Sequence, residues 1–290
     1  MAATVCASAQ VKQYNRELTE FASMDVSNAF EVSVVKGDAY GVTLIVDEPY
    51  ESYVTCNVSS STLYIGLDEK KVPSEVKKLY KSKNVSPATF RAIVTLPATI
   101  STVTLHDKSV IFEAGKDVMS ADAVVLNASD NASVKFLEAE CRTVTVNIEK
   151  KAAVNLNVFC NKFLVKASGT SMLGVEQNTA SSDVTVQGSA TVNIKGQSES
   201  FSLAAKNTCK GTVEGNSGSA VFSISDSANI NAAEFSCKKA EVSMKSICKL
   251  SLNATQSLAL AMQGGATLVY SGDPAVEIDS IEKSSVTHAK

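Results

Sequence analysis

The chain has no tryptophan, two histidines and five prolines among 290 residues. It has 7 tyrosines and 10 phenylalanines, so large rings are few and the core must come mainly from valine, leucine, isoleucine and alanine. Such small aliphatic side chains suit thin, regular layers. The net charge of -3 gives no field that would attract nucleic acid, so nucleic acid is not expected as a partner. No stretch is apolar and long enough to form a transmembrane segment.

Familiar signatures of catalysis are also missing. The seven cysteines include no CxxC pair, which argues against a zinc site and a dense disulfide framework. The two histidines are His106 and His288, and the second lies close to the C-terminus. No GxSxG, HExxH, Walker or dinucleotide-binding motif occurs. The sequence therefore predicts no catalytic residue, no metal site and no cofactor.

What the chain does contain is a repeat of about nineteen residues. It is marked by eight apolar positions with separations of 20, 19, 19, 19, 19, 20 and 18 residues: Leu126, Val146, Val165, Val184, Leu203, Phe222, Val242 and Leu260. Six residues after each marker comes a small side chain: Ala132, Ala152, Ser171, Ala190, Cys209, Ala228, Cys248 and Ala266. A register kept over more than half the chain is typical of a solenoid, in which each repeat buries its apolar face against the next.

The local pattern within each repeat identifies the kind of solenoid. Apolar residues alternate with polar ones on both sides of a turn, as at Val184 and Val186 before it and Val192 and Ile194 after it. This period of two indicates strands, and strands that recur on every turn stack in parallel. The sequence predicts an all-β, single-stranded parallel β-helix. Four phenylalanines are assigned to its inward columns: Phe136, Phe163, Phe201 and Phe222.

The chain is divided accordingly. We expect capping strands in residues 21–98, the β-helix in residues 99–272, and a C-terminal cap or tail in residues 273–290. A tight turn at residues 36–38 suggests two paired strands within the cap. Residues 1–20 form an N-terminal segment in which residues 7–9, Ala-Ser-Ala, resemble a signal-peptide cleavage pattern. This pattern predicts export, to the periplasm, the outer membrane surface or the extracellular medium.

Residues 68–88 interrupt the cap with a lysine-rich excursion, in which Pro73 is expected to begin a short helix. One interpretation is a solvated loop, and the other is a contact surface for an acidic polymer or a partner protein. The candidate contact residues are Lys70, Lys71, Lys77, Lys78, Tyr80, Lys81 and Lys83. Tyr50, Tyr53 and Tyr80 form either an exposed aromatic patch or part of the packing of the cap.

The cysteines follow the repeat. Cys209 and Cys248 fall in the small-residue column, whereas Cys141, Cys160 and Cys237 lie five residues before an apolar marker, in a column that also includes Thr255. Buried, unpaired thiols are one interpretation. Because Cys141 and Cys160 occupy neighbouring repeats, the alternative of a disulfide between them is not excluded by the sequence.

A β-helix can also support glycan chemistry, which requires carboxylates that converge on neighbouring rungs. Asp130 and Asp226 share a column but lie five rungs apart, and Glu176 and Glu214 are separated by Lys195. Glu176, Lys195 and Glu214 therefore predict an exposed ladder of alternating charges rather than a catalytic acid and base pair.

Several segments together resemble the putative auto-transporter adhesin head domain family, also called the GIN domain. They are residues 21–26, 30–38, 63–65, 93–97 and 270–274, together with the rungs themselves. The resemblance covers about residues 20–288. It implies a right-handed β-helix, export from Bacteroides-like bacteria and no established catalytic residues. The chain has fewer Gly-Ser-Gly turns and more cysteines than the family pattern.

Two functional hypotheses follow. The first is a non-enzymatic, exported adhesion or cell-envelope interaction module that presents a rigid β-helix surface. Its partner would be an unknown protein or polysaccharide at the cell surface. The alternative is a glycan-active enzyme, a lyase or hydrolase, or a glycan-binding module on the same scaffold.

Overall fold

The computed structural model describes residues 10–80 and 86–289, which are almost entirely β structure. A 3₁₀ helix spans Glu48–Tyr53, and the helix α1 spans Ser74–Leu79. The strands, numbered along the chain, are β1 Val11–Glu17, β2 Ser23–Val26, β3 Glu31–Lys36, β4 Gly41–Asp47, β5 Val54–Ser59, β6 Thr62–Leu67, β7 Phe90–Leu96, β8 Thr102–Leu105, β9 Val110–Ala114, β10 Ala123–Ala128, β11 Ser133–Val134, β12 Glu138–Ile148, β13 Ala153–Ala167, β14 Met172–Val186, β15 Thr191–Ala205, β16 Lys210–Asp226, β17 Asn229–Ser246, β18 Lys249–Gln263, β19 Thr267–Ser271, β20 Ala275–Glu282 and β21 Ser285–His288.

The long strands β13 to β18 stack in parallel, so that one strand makes most of one turn of the solenoid, here called a rung. Between β14 and β15, Leu173 pairs with Val192 and Val184 with Leu203, as the nineteen-residue repeat requires. Side chains alternate between the interior and solvent, and Val192 is 0% exposed. Each fully buried aliphatic side chain contributes about 1.5 to 3 kcal/mol before entropy is subtracted. The predicted parallel β-helix is confirmed.

A left-handed backbone residue marks one corner of every rung. The residues at this corner all have positive φ angles: Asp130, Lys150, Gly169, Gly188, Asn207, Asp226, Ser246 and Gly264. Aspartate, asparagine and glycine tolerate this conformation better than other residues. Two residues later the small-residue column turns inward, and Ala190 and Cys209 are both 0% exposed. The interior at this corner is therefore filled by small side chains in every rung.

The N-terminal strands are not connected as the sequence suggests. β3 and β4 do not pair with each other, because β7 lies between them, parallel to β3 and antiparallel to β4. The backbone N–H of Gly37 donates to the carbonyl of Leu96 at the end of β7, 3.1 Å away. The prediction of paired strands around residues 36–38 was wrong. β1 and β5 add antiparallel strands to β4 and β6, so the parallel stacking ends there.

At the other end the parallel stacking continues. β20 pairs with β18, and β21 pairs with β19, so residues 275–288 add strands to the solenoid. Val276 and Ile278 of β20 are 41% and 59% exposed. This segment, expected to be a cap or tail, extends the two faces of the β-helix.

Two positions break the predicted register. Phe136 is 38% exposed, and Leu137 is buried in its place, because one extra residue between β11 and β12 shifts the alternation. Cys237 pairs with Ala254 rather than with Thr255, next to an irregularity in the pairing of β17 and β18. The inward assignments of Phe163, Phe201 and Phe222 are confirmed, since all three are buried.

Candidate binding groove

The lysine-rich excursion is only partly available for contacts. Lys70, Lys71, Lys77 and Lys78 are exposed, and the last two lie on α1. Lys71 forms an ion pair with Asp68 at 2.8 Å. The ammonium group of Lys77 donates to the backbone carbonyl of Glu69 at 2.7 Å. Lys81 and Lys83 lie outside the described residues.

The tyrosines of this region belong to the packing of the cap. Tyr50 is buried, and its ring lies 5.5 Å from that of Tyr80 and 5.0 Å from that of Phe90, measured between centroids. Burial and the neighbouring Asp47 carboxylate raise the pKa of Tyr80 above its usual value. Tyr53 is half-buried against the same core. These contacts favour cap packing over an exposed aromatic patch.

A cleft of about 520 Å³ separates the excursion from the first complete rung. Asn28 bridges two carboxylates there: its backbone N–H donates to Asp107 at 3.0 Å and its side-chain amide donates to Glu69 at 3.1 Å. Its side-chain oxygen accepts from the N–H of Leu67 at 2.7 Å. The carboxylates thus hold the excursion against the solenoid, and their hydrogen bonds give them a structural role.

A groove of about 1020 Å³ runs along the second corner of the solenoid. At this corner, in-register pairing stops for one residue in each rung and then resumes, as between the pairs Cys160 with Thr179 and Lys162 with Ser181. The unpaired corner residues form one side of the groove: Asn161, Ala180, Glu199, Gly218 and Lys238. Because successive strands contribute to it, the groove runs across the strands, parallel to the solenoid axis.

A row of polar side chains lines the other side of this groove. Asn178, Gln197 and Asn216 are in-register partners on β14, β15 and β16, and all three are exposed. Within the described ranges, no protein hydrogen bond uses these side-chain amides. Phe159, which is 44% exposed, precedes them on β13, and Ser236 follows them on β17. We call these five residues the amide row, after the side-chain amides of its three central members.

The backbone bends sharply just before the amide row. Gly196 and Gly215, aligned on neighbouring strands, have φ angles of 117° and 119°. This region of backbone space is essentially restricted to glycine. In the preceding rung the aligned residue is Gln177, whose side chain is buried. The bend thus lies at the border of the groove, one residue before Gln197 and Asn216.

Polar side chains pack beneath the groove. The hydroxyl of Ser182 donates to Oε1 of Gln177 at 2.7 Å and lies 2.8 Å from the hydroxyl of Thr179. In the next rungs the hydroxyl of Ser198 donates to that of Ser217 at 3.3 Å. All of these side chains are buried. Internal hydrogen bonds therefore support the groove from beneath, and among the described residues Nε2 of Gln177 is buried without a partner.

Cysteines occupy the ends of this internal column. Cys141 and Cys160 are in-register partners on β12 and β13, and both are free thiols. Burial raises the pKa of Cys160 to about 11, with a further contribution from the neighbouring Cys141. Burial also raises the pKa of Cys237 to about 11. Protonated thiols are weak nucleophiles, so these side chains suit packing better than catalysis.

The groove carries little net charge. Glu140, Glu199 and Lys238 are its charged residues, and they are spread along its length. Outside it, the predicted charge ladder appears in one ion pair, between Lys195 and Glu214 at 3.0 Å. Residues 10–80 and 86–289 contain no group of three or more histidine, cysteine, aspartate or glutamate side chains placed to hold a metal ion. No helix in these ranges is long and apolar enough to cross a membrane.

Sequence reasoning did not identify this groove. Its signal was an outward column of Phe159, Asn178, Gln197 and Asn216 at a constant spacing of nineteen residues. Polar residues also fill the other outward columns of the solenoid, so composition does not distinguish this one. Only the folded structure shows that the column borders a concave surface.

The fold and the groove define a class of protein, a β-solenoid with a long lateral groove. The chain matches the family described as "Putative auto-transporter adhesin, head GIN domain" over residues 20–195 and again over residues 173–274. Since the matches cover more than half of the chain, it belongs to this family, as the sequence motifs predicted. No curated protein matches the chain.

Two crystal structures share the fold. A putative adhesin from Parabacteroides distasonis has a TM-score of 0.51 and 14% sequence identity, with 97% of this chain and 98% of that chain covered. A putative adhesin from Parabacteroides merdae has a TM-score of 0.51 and 16% identity, with 98% of each chain covered. At these identities the likeness concerns the fold alone.

Proposed function

We propose that the chain is a non-enzymatic adhesion module that is exported and binds a partner at the cell surface through its groove. The observation that carries this proposal is the amide row beside the corner of the solenoid. Asn178, Gln197 and Asn216 present exposed side-chain amides on a rigid, internally bonded support. Surface amides on such a support are suited to recognition, because the backbone that carries them is already in place and binding has to order only the side chains themselves.

The glycan-active enzyme is the weaker hypothesis. Hydrolysis of a glycosidic bond requires two carboxylates within about 5 to 10 Å across the scissile bond. The groove contains Glu140 and Glu199, which come from strands three rungs apart, about 14 Å at the usual strand spacing of about 4.8 Å. Asp107 and Glu69, in the smaller cleft, are both bonded to Asn28. Neither arrangement resembles an acid and base pair.

Export and surface location are part of the same proposal. Membership of an adhesin-like family supports export, and an adhesion module must reach the cell surface to meet its partner. The stacked rungs suit this role, because a solenoid holds its binding residues in a fixed row along its length.

The lysine-rich excursion is proposed as a second, smaller contact surface. Lys70 and Lys78 are exposed, whereas Lys71 and Lys77 are held by Asp68 and Glu69. An acidic polymer or an acidic face of a protein would be the matching partner.

Adhesion can be tested with beads that carry the purified protein. We expect these beads to be retained on intact Bacteroidales cells or on mucin-coated glass more strongly than beads that carry serum albumin. Beads that carry a heat-denatured sample serve as the control for folded structure. Retention equal to that of albumin on both surfaces would contradict the proposal. Release of reducing ends or unsaturated sugars from mucin or plant polysaccharides would favour the enzyme instead.

A further inference from the structure

We propose that the groove binds a linear, uncharged oligosaccharide that lies along the solenoid axis against the amide row. This inference rests on the proposed adhesion function and names the chemical class of its ligand. Asn178, Gln197 and Asn216 would hydrogen bond to sugar hydroxyl groups, and the ring of Phe159 would stack on one sugar.

The chemistry of the amide row matches hydroxyl groups. Each side-chain amide has two donors and one acceptor oxygen, and a sugar hydroxyl can both donate and accept. Elsewhere in the solenoid a similar pair is closed: Nδ2 of Asn147 donates to Oδ1 of Asn127 at 2.9 Å. In the groove, by contrast, the aligned amides of Asn178, Gln197 and Asn216 form no hydrogen bond to described protein groups. Their donors and acceptors are therefore available to a ligand.

Phe159 adds an apolar platform at one end of the row. Phe159 is 44% exposed, although seven of the ten phenylalanines are buried. The neighbouring Cys160 and Glu140 also line the groove, so the ring borders the concave surface rather than a convex face. The C–H faces of a pyranose ring pack well on such a ring because both surfaces are flat and apolar.

The geometry of the rungs suits a repeating ligand. Neighbouring parallel strands lie about 4.8 Å apart, so the amide row from Phe159 to Ser236 spans four intervals, or about 19 Å. The rise of one pyranose unit in an extended glycan is similar to the spacing of one rung. A chain of four or five sugars would therefore present one unit to each residue of the row.

Other polymers fit the groove less well. A peptide that adds a strand needs an unpaired sheet edge, but the strands beside the groove are paired with both neighbours. A nucleic acid or an anionic polysaccharide needs a basic surface, but Lys238 is the only basic residue among those that line the groove, against Glu140 and Glu199. An uncharged chain rich in hydroxyl groups needs neither an unpaired sheet edge nor a basic surface.

The test measures binding of defined hexasaccharides to the full chain by calorimetry and ligand-observed NMR. Cellohexaose, xylohexaose, β-1,4-mannohexaose, laminarihexaose and chitohexaose represent uncharged chains, and hexagalacturonate represents an anionic one. We expect at least one uncharged hexasaccharide to bind, with affinity that rises from the disaccharide to the pentasaccharide. The paired substitutions Asn178→Ala and Asn216→Ala should weaken binding at least about tenfold, as should Phe159→Ala alone.

A matched control uses two exposed asparagines outside the groove. Asn155→Ala and Asn193→Ala remove the same chemical groups from β13 and β15, and this double variant should bind within about twofold of the original chain. Unchanged melting temperatures would show that all variants fold. The inference fails if no uncharged hexasaccharide binds, if hexagalacturonate binds as well as they do, or if the control variant loses as much affinity.

The bead assay separates this failure from failure of the adhesion proposal. If the beads adhere and the groove variants adhere less well, but no hexasaccharide binds, adhesion through the groove stands and the inference about its ligand falls. If the groove variants adhere as well as the original chain, both the groove as the adhesion site and the inference fall. If the original chain adheres to neither surface, the adhesion proposal itself falls.

Discussion

Gly196 packs so closely against the backbone of Gln177 that a Cβ atom on residue 196 would lie 1.9 Å from the carbonyl oxygen of Gln177. The φ angle of Gly196 is 117°, in a region that side chains other than glycine rarely adopt. Both observations place a glycine requirement at the bend beside the groove. Gly215 repeats it on the next rung, where a Cβ would lie 1.8 Å from the carbonyl oxygen of Gly196.

Replacement of Gly196 by alanine should therefore damage the fold. We expect the free energy of unfolding to fall by about 3 kcal/mol or more, because backbone strain and a backbone clash add together. Urea denaturation followed by circular dichroism would measure the change. Gly115→Ala is the control, since a Cβ there meets nothing within 4 Å, and it should change stability by less than about 1 kcal/mol. Equal effects of the two substitutions would contradict the geometry of the bend.

Ser171 offers the opposite prediction. Its hydroxyl is buried without a hydrogen-bond partner, in the column that holds Ala152 and Ala190 in the neighbouring rungs. Ser171→Ala removes an unsatisfied polar group with little change in volume, so it should stabilise the protein by about 1 kcal/mol. Ala190→Ser, the reverse change in the next rung, should destabilise it by a similar amount. A lower melting temperature for Ser171→Ala would show that the hydroxyl is satisfied in solution.

The register of the strands can be tested with two adjacent residues of β15. Val192 is buried and Asn193 is exposed, so aspartate at these positions meets opposite environments. Val192→Asp should cost about 3 kcal/mol or more, and it should prevent folding if the protein is marginally stable. Asn193→Asp should stay within about 0.5 kcal/mol. Thermal melts that show similar losses for both variants would mean that the strand faces the other way.

The predictable part of this fold is the part in which every rung has the same environment. The inward columns could be assigned because a buried position such as Val192 accepts only apolar residues in each repeat. The corner at Asn207 and Gly188 could be assigned because its positive φ angle restricts the residue types. In both cases local chemistry alone fixes the structure, and a constant spacing repeats the signal.

The remaining features depend on relationships between distant residues. The insertion of β7 between β3 and β4 is a choice of partner strand, which the turn at residues 36–38 does not encode. The exposure of Phe136 results from one extra residue that no local motif marks. The groove lies beside the bend at Gly196, and a glycine in a strand is compatible with several backbone shapes.

The lysine-rich excursion makes a salt-dependent prediction. Lys70 and Lys78 are exposed, so replacing both with glutamate should weaken contact with an acidic polymer. On a heparin column at low ionic strength, the double variant should elute at a lower salt concentration than the original chain. Two exposed lysines of the solenoid, Lys206 and Lys210, provide the control with the same change in net charge. Identical elution of the two double variants would leave net charge as the explanation and remove the excursion as a contact surface.

The buried thiols predict a loss of stability at alkaline pH. The pKa of Cys160 and that of Cys237 are each raised to about 11 from an ordinary value of 9.0, chiefly by burial. Between these values the unfolded chain loses thiol protons that the folded chain retains. The stabilisation is complete below about pH 9 and is lost as the pH rises toward 11. For the buried Cys237 a shift of this size corresponds to about 3 kcal/mol, and the partial exposure of Cys160 reduces its share.

Urea midpoints measured from pH 8 to pH 10.5 would detect this loss. Lysines and tyrosines titrate in the same range, so the informative quantity is the difference between the original chain and the variant with both Cys160→Ala and Cys237→Ala. The variant loses thiol packing at every pH, but its midpoint should fall less steeply above pH 9, because two of the protons released on unfolding are gone. Cys209→Ala removes a buried thiol from the opposite corner. Its pH profile shows how much one thiol contributes to the fall of the urea midpoint with rising pH. Parallel pH profiles for the original chain and the double variant would mean that these thiols ionise equally in the folded and unfolded states, so that burial does not hold their protons.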